Sequence, residues 1–220
     1  MNLSADARQL FTERPDLYAR FIRAVRYPQG LRAFWRASPL LYPGLRILEA
    51  GCGTGALTFA VWGAAEERGI RPSAFDAFDL TPAMLDRLRA ALRRHPQRAG
   101  CIRLVEANVL QLDTLPPDWR DYDIVVSASM LEYVPRERFA DAMQGLRERL
   151  REGGRLVLFV TRRNPFTRVL IGRWWQSNLY SVPELTKAFV AAGFSGVRLP
   201  GFPFAARYLS AWGHVVEAER

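Results

Sequence analysis

Between residues 46 and 56 the chain runs from a short apolar stretch straight into glycines. Arg46-Ile47-Leu48-Glu49-Ala50 is followed by Gly51-Cys52-Gly53-Thr54-Gly55, and then by an apolar run from Ala56. The first part reads as a buried strand and the last as a helix, so the glycines must turn the chain sharply. A backbone without Cβ atoms can do this and can also bring main-chain N–H groups close to a ligand. Three alternating glycines are costly in unfolded-state entropy, so a turn that holds nothing is the weaker explanation. Glu49, near the end of the strand, is the acceptor-only group in an otherwise small and apolar stretch.

The chain of 220 residues suits one domain with a full core and room for a helical cap. No apolar run approaches the roughly 18–20 residues that span a bilayer. Met1-Asn2-Leu3-Ser4-Ala5-Asp6 lacks the basic and apolar regions of a signal peptide. Cys52 and Cys101 are too few for a disulfide framework. A reduced, cytoplasmic protein is expected. The net charge of +9 raises nucleic acid or an anionic membrane as partners. Lys187, however, is the only lysine among the 31 basic residues, and an arginine bias of this kind fits charge dispersed over the surface. No like-charge block forms a tail.

Residues 1–44 read as a helical cap or lid, and residues 45–220 as the main domain. In the cap, Leu10, Phe11, Leu17, Phe21, Ile22, Val25, Leu31, Phe34 and Trp35 recur at helical spacing, punctuated by Pro15, Pro28 and Pro39. Tyr18, Tyr27, Phe34 and Trp35 are its candidates for substrate contact. From Leu45 strands and helices alternate, the sign of a mostly parallel sheet. Strands are expected at 45–50, 74–79, 102–106, 122–127, 155–161, 195–199 and 212–218. Helices are expected from Thr54 to Arg68, from Thr81-Pro82 with Thr81 as N-cap, from Pro135 to Arg151, and from a capping box at Ser181-x-x-Glu184 to Gly193. Gly153-Gly154 is expected to turn into the fifth strand.

Gly51-x-Gly53-x-x-Ala56 fits the dinucleotide fingerprint G-x-G-x-x-G/A. Glu49, two residues before the first glycine, suits a cationic ligand better than a pyrophosphate. Asp79, in Phe78-Asp79-Leu80-Thr81-Pro82-Ala83-Met84-Leu85, ends the second strand, where a carboxylate can accept from both hydroxyls of a ribose. Asp76 lies on the other face and is the weaker candidate.

Three stretches together, Glu49-x-Gly51-x-Gly53-x-Gly55, Asp79 to Leu85, and Asp121-Tyr122-Asp123 through Ser127-Ala128-Ser129-Met130-Leu131-Glu132-Tyr133-Val134, resemble the class I S-adenosylmethionine-dependent methyltransferases of the small-molecule branch. The resemblance covers about residues 45–200. It implies an α/β fold with a doubly wound, seven-stranded, mostly parallel sheet, Rossmann-like, the last strand antiparallel. It also implies that Glu49, Gly51, Cys52, Gly53 and Gly55 pass along the methionine part of S-adenosyl-L-methionine, and that Asp79 and Leu80 meet the ribose. Asn108 and Val109 would meet the adenine, and Ser127 would leave its strand beside the sulfonium. The family usually has Asp where Asn108 stands; Asn keeps an acceptor oxygen, and a turn-forming role is the alternative.

The implied reaction is an in-line displacement of methyl from a sulfonium, in which the protein mainly aligns the reactants and excludes water. A hydroxyl acceptor would want a base, for which Glu132, Tyr133 and Tyr180 are the candidates. The sequence has no Asp/Asn-Pro-Pro-aromatic tetrapeptide and no Pro-Cys nucleophile, so a small-molecule acceptor is expected over nucleic acid. His95 and His214 are far apart without ligand spacing, and no metal is expected. His95 reads as a helix C-terminal cap residue and His214 as core or surface. No neighbouring base activates Cys52. Two aromatic-basic segments, Arg162 to Tyr180 (with Trp174-Trp175) and Gly201 to Tyr208, have three open readings. They form a substrate wall whose arginines take an acidic group, a peripheral contact with a membrane, or a covering helix with core aromatics. A nicotinamide oxidoreductase would need Tyr-x-x-x-Lys, but Pro183 stands four residues before Lys187. A non-catalytic partner subunit, and RNA or lipid as acceptor, stay open.

Overall fold

The computed structural model describes residues 20, 22–167 and 177–220. Its strands are β1 Arg46–Ala50, β2 Ala74–Asp79, β3 Ile102–Glu106, β4 Tyr122–Ala128, β5 Leu150–Thr161, β6 Ser195–Arg198 and β7 Gly213–Glu219. Helices of ten or more residues are α1 Tyr27–Ala37, α2 Ala56–Glu67, α3 Pro82–Leu92, α4 Phe139–Arg149 and α5 Val182–Ala191. The strands form one sheet in the order β3-β2-β1-β4-β5-β7-β6. β1 pairs in parallel with β2 and β4, β2 with β3, and β4 with β5. β7 is antiparallel to both of its neighbours, β5 and β6. This is the seven-stranded α/β sheet the resemblance implied.

Both faces of the sheet are covered, which is why its central strands are apolar at almost every position. Side chains alternate between faces along each strand. Ile47, Phe75, Ile124 and Phe159 pack with α1 and α2 on one side. Leu48, Val125, Leu158 and Val160 pack with α4 and α5 on the other. The capping box of α5 forms as expected, with Ser181 N–H donating to Glu184 Oε2 at 2.7 Å.

Gly153-Gly154 behaves differently from its expected role as a turn before the strand. β5 already begins at Leu150, and its pairing with β4 shifts register between Tyr122 and Ile124. A Cβ on Gly154 would sit 2.8 Å from the Arg151 carbonyl and 2.9 Å from that of Tyr122. The glycines therefore permit a bulge inside the strand. The preceding helix correspondingly stops at Arg149.

α1 is bound into the core. Leu31 and Trp35 are fully buried, and Phe34 meets Phe159 edge-on at 5.1 Å. A side chain on Gly30 would overlap Leu209, so the 3-10 segment Phe204–Ala211 lies directly against this helix. Phe34 and Trp35 are thus packing residues, while Tyr27 reaches the pockets described below. Tyr18 and Trp174-Trp175 lie outside the described residues.

Asp76, which lines neither of those pockets, is a structural carboxylate. It accepts from Arg103 Nε at 2.6 Å, from Arg103 Nη2 at 2.9 Å and from the Tyr122 hydroxyl at 2.5 Å. Burial and Asp76 together push the Tyr122 hydroxyl pKa up, so it remains a donor. Arg103→Met would leave Asp76 buried with one donor. Because the guanidinium is half exposed, the loss should be about 2–3 kcal/mol, below the ~3–5 of a fully buried pair. Urea unfolding of the two proteins would measure it.

Candidate active site

The loop from β1 to α2 is tied down from inside. Gly51 N–H and Cys52 N–H both donate to the Phe78 carbonyl, at 2.8 and 3.0 Å. Gly53 N–H donates to Asp79 Oδ2 at 2.8 Å, and Gly55 N–H to the Cys52 carbonyl at 2.9 Å. Asp79 Oδ1 accepts from Thr81 N–H at 2.9 Å. Four N–H groups expected near a ligand are therefore spent within the protein, and none of them is left for a pyrophosphate. The glycines serve shape instead. Gly51 has φ +74 and a side chain there would overlap Met130, whereas Gly53 has φ +52 and a Cβ there would meet nothing within 4 Å. Gly53 is the glycine that faces open space.

That space is a pocket of about 950 Å³, its open mouth included, at the carboxyl ends of β1, β2 and β4. Glu49, Gly51, Cys52, Gly53, Asp79 and Leu80 contribute to its wall. Its charged residues are Glu49 and Asp79; no Arg, Lys or His lines it among the described residues. Glu49 is 1% exposed, and its Oε2 accepts from Thr58 Oγ1 at 2.7 Å. Its Oε1 is buried with no hydrogen-bond partner among the described residues. Burial, opposed by the Thr58 hydrogen bond and reinforced by the Asp79 charge, pushes the Glu49 pKa up to about 8. Burial also raises Asp79, against the backbone N–H groups of Thr81 and Gly53. The Cys52 thiol is pushed up by burial and by both carboxylates, so it stays protonated and is no nucleophile.

Other expected contacts fall just behind this wall. Gly55 caps α2 and packs against Leu88 and Phe59. Asn108 Oδ1 accepts from Leu110 N–H at 3.0 Å, a local turn, and its neighbours Ala107 and Val109 form the wall. Ser127 is buried and donates to the Ala50 carbonyl at 2.9 Å.

A second pocket of about 620 Å³, mouth included, adjoins the first; Ile22, Tyr27, Ser129 and Tyr133 line both. Glu132 and Tyr133 reach it from the 3-10 turn Leu131–Tyr133 after β4. Glu132 is 2% exposed; its carboxylate accepts from Thr161 N–H at 2.8 Å and Thr161 Oγ1 at 3.0 Å. Burial pushes its pKa up to about 7. Tyr180 is elsewhere. Its ring lies against Phe139 with 4.6 Å between centroids, the Arg136 guanidinium is 4.8 Å from it, and its buried hydroxyl has no partner among the described residues. The three base candidates are thus split between a pocket and the core.

Phe202, Trp212 and His214 line the second pocket. Phe202 belongs to an aromatic-basic segment singled out in the sequence, but Arg162 and Arg207 are not on either wall. His214 had no local signal of function. His95, expected at a helix end, follows α3 and packs on Phe59 with 5.8 Å between centroids.

A family profile described as "Methyltransferase domain" matches residues 48–156, which hold the glycine loop, Asp79 and Glu132. The chain belongs to the class I S-adenosylmethionine-dependent methyltransferases. Highly reducing polyketide synthase 2 of Gibberella zeae is 30% identical over 177 residues, covering 70% of this chain. Non-reducing polyketide synthase esdpA of Penicillium shearii is 31% identical over 153 residues, covering 68% of the chain. The methyltransferase chain spans only 7% and 6% of these proteins' lengths. The fold matches that of magnesium protoporphyrin IX methyltransferase from Synechocystis PCC 6803 with bound SAM. There the TM-score is 0.68 at 16% identity, over 100% of this chain and 98% of the other. The citrinin polyketide synthase CMeT domain gives a TM-score of 0.61 at 20% identity, over 80% of this chain and 46% of the other.

The two carboxyls raised furthest, Glu49 and Glu132, set a pH dependence of stability. A carboxyl with a folded pKa above its unfolded value holds its proton more tightly in the folded state. Folding is therefore favoured at low pH, and this contribution is lost as pH rises from the ordinary 4.5 to about 8 for Glu49 and about 7 for Glu132. Glu49→Gln cannot ionise, so its melting temperature should fall less steeply than that of the wild type between about pH 5 and 8. Thermal melts across that range would read the difference.

Proposed function

We propose that this methyltransferase moves the methyl group of S-adenosylmethionine onto a small, largely apolar acceptor held in the second pocket. One observation carries the reading: among the described residues the pocket is walled by two carboxylates and no cation, and Glu49 keeps a buried oxygen without a donor. An ammonium group would supply that donor, and a sulfonium would find the field favourable. The residues fit the cofactor. Glu49 would take its ammonium, Asp79 its ribose hydroxyls, and Leu80, Met84 and Val109 would enclose the adenine, while Gly53 leaves room along the methionine chain. Asn108, bonded to Leu110, would act by shaping the turn that presents Val109.

When bound, S-adenosylmethionine supplies an electrophilic methyl group on a sulfonium that leaves as a neutral thioether. The protein's part is to orient and to dry the site. Ser129 and Tyr133, shared by the two pockets, stand where the reactants would meet. Phe159, Phe202, Leu209 and Trp212 give the acceptor an apolar seat. The described part of the expected cap, from residue 22 onwards, serves as a cover over both pockets, since Ile22 and Tyr27 line each of them. A small organic acceptor also agrees with the structural neighbours, among them a magnesium protoporphyrin IX methyltransferase. Two pockets without an arginine or lysine on their walls, among the described residues, disfavour nucleic acid. No helix of the described residues is long and apolar enough to cross a membrane. A cytoplasmic setting goes with this reading.

Calorimetry should show S-adenosylmethionine and S-adenosylhomocysteine binding and NADH failing to bind. Asp79→Asn should weaken both adenosyl ligands by roughly tenfold or more, as expected for a charged hydrogen bond of about 1.5–3 kcal/mol. Binding should also release a proton near neutral pH, because an ammonium beside Glu49 lowers its pKa from about 8. Affinity should then rise between about pH 6 and 7.5, below the range where the ligand's own amine titrates. Glu49→Gln should remove the proton release. NADH binding without adenosyl binding would overturn the reading.

A further inference from the structure

His214 takes no part in the core or in the cofactor pocket, yet the fold delivers it to the acceptor side. It is the second residue of β7 and pairs with Val160 of β5. The next residue of β5, Thr161, is the one that holds the Glu132 carboxylate. The walls around His214 are mostly apolar, and the polar residues among them are Tyr27, Ser129, Glu132, Tyr133 and Thr161.

Few of these can take a proton at neutral pH. Serine, threonine and tyrosine hydroxyls are already protonated there. Glu132 is almost fully buried, both its oxygens accept from Thr161, and its carbonyl accepts from Asn178 N–H at 2.8 Å. It pins the turn after β4 to the end of β5 and acts as a positioning residue. His214 is only half buried, and its ring nitrogens make no hydrogen bond to the described residues. The charged and titratable groups around it are Arg162 from the end of β5, Glu132 and Tyr133 from the turn after β4, and Tyr27 from α1. Burial and the Arg162 charge hold its pKa below the usual histidine range, so the ring is neutral at pH 7.

We propose that His214 is the catalytic base of the acceptor pocket, and that the acceptor is an apolar molecule carrying an ionisable hydroxyl, a phenol or an enol. The proposal rests on the methyl-transfer reading. In the step, the acceptor oxygen forms a bond to the methyl carbon, and the carbon–sulfur electron pair leaves with sulfur. The hydroxyl proton passes to a ring nitrogen of His214 and then to water. Positive charge moves from sulfonium to imidazolium, so the site's total charge is unchanged.

The chain has two histidines, so ring ¹⁵N spectra of histidine-labelled protein contain two spin systems, His95 and His214. The probe is para-nitrophenol, whose visible spectrum distinguishes phenol from phenolate, added to protein saturated with S-adenosylhomocysteine below the pH at which the free dye ionises. The expected result is bound dye with the phenolate spectrum and His214 shifted to the imidazolium position, His95 unmoved. His214→Gln and His214→Asn are both made, and either one that still binds S-adenosylhomocysteine decides. There the bound phenolate fraction should fall at least tenfold. Dye bound as neutral phenol in the wild type, phenolate persisting in the variants, or no uptake of dye by the loaded protein would each overturn the proposal. If folded wild type fails to bind S-adenosylhomocysteine, the methyl-transfer reading falls, and His214's role with it.

Discussion

The Asp79 carboxylate holds the ligand edge of this fold together. One oxygen takes the N–H of Gly53 and the other that of Thr81, so the glycine loop and the start of α3 are fastened to the end of β2. The Phe78 carbonyl, one residue earlier, takes two more N–H groups from the same loop. A loop of this composition could have been an anion cradle, because free N–H groups at a helix start attract phosphate. Spending those donors internally and leaving two carboxylates on the wall reverses the sign of the site. The pocket's preference for a cation is thus a consequence of how its backbone is satisfied.

Buried carboxylates do different jobs here according to what partners them. Asp76 has a guanidinium and a phenol, and is fully used in joining β2, β3 and β4. Glu132 is used by Thr161, and its bonds clamp the turn that presents Tyr133 to both pockets. Among the described residues, Glu49 alone of the three keeps an oxygen without a donor. A buried acceptor left unpaired is costly, so the site is unsatisfied until a donor arrives. The same desolvation that makes it costly raises its pKa, the basis of the proton release proposed for cofactor binding.

The sheet and its helices could be read from the sequence because they rest on local signals. β2 and β3 occupy the expected spans, and Thr81-Pro82 and Ser181-x-x-Glu184 open helices at the expected positions, the second through its capping box and the first with Thr81 at the N-cap but no side-chain cap bond. Asp79, Glu49 and Gly53 were legible too, since a strand end followed by glycines fixes which residues reach the sheet's carboxyl edge. Asn108 illustrates the limit. Its own amide oxygen closes a turn on Leu110, a local competition that a residue's identity does not decide. Gly153-Gly154 signalled a glycine requirement, but the need came from the Tyr122 carbonyl on another strand.

The sequence by itself determined a wound α/β sheet, a glycine turn after β1 and acidic residues at the ends of β1 and β2, because periodicity and turn chemistry act over a few residues. Tertiary structure alone decided which side chains share the second pocket. It sent Tyr180 into the core against Phe139 and brought His214 to the pocket that Glu132 also lines. The reason is the direction of β7. Inserted antiparallel between β5 and β6, it presents its first residues, not its last, at the edge where the parallel strands end.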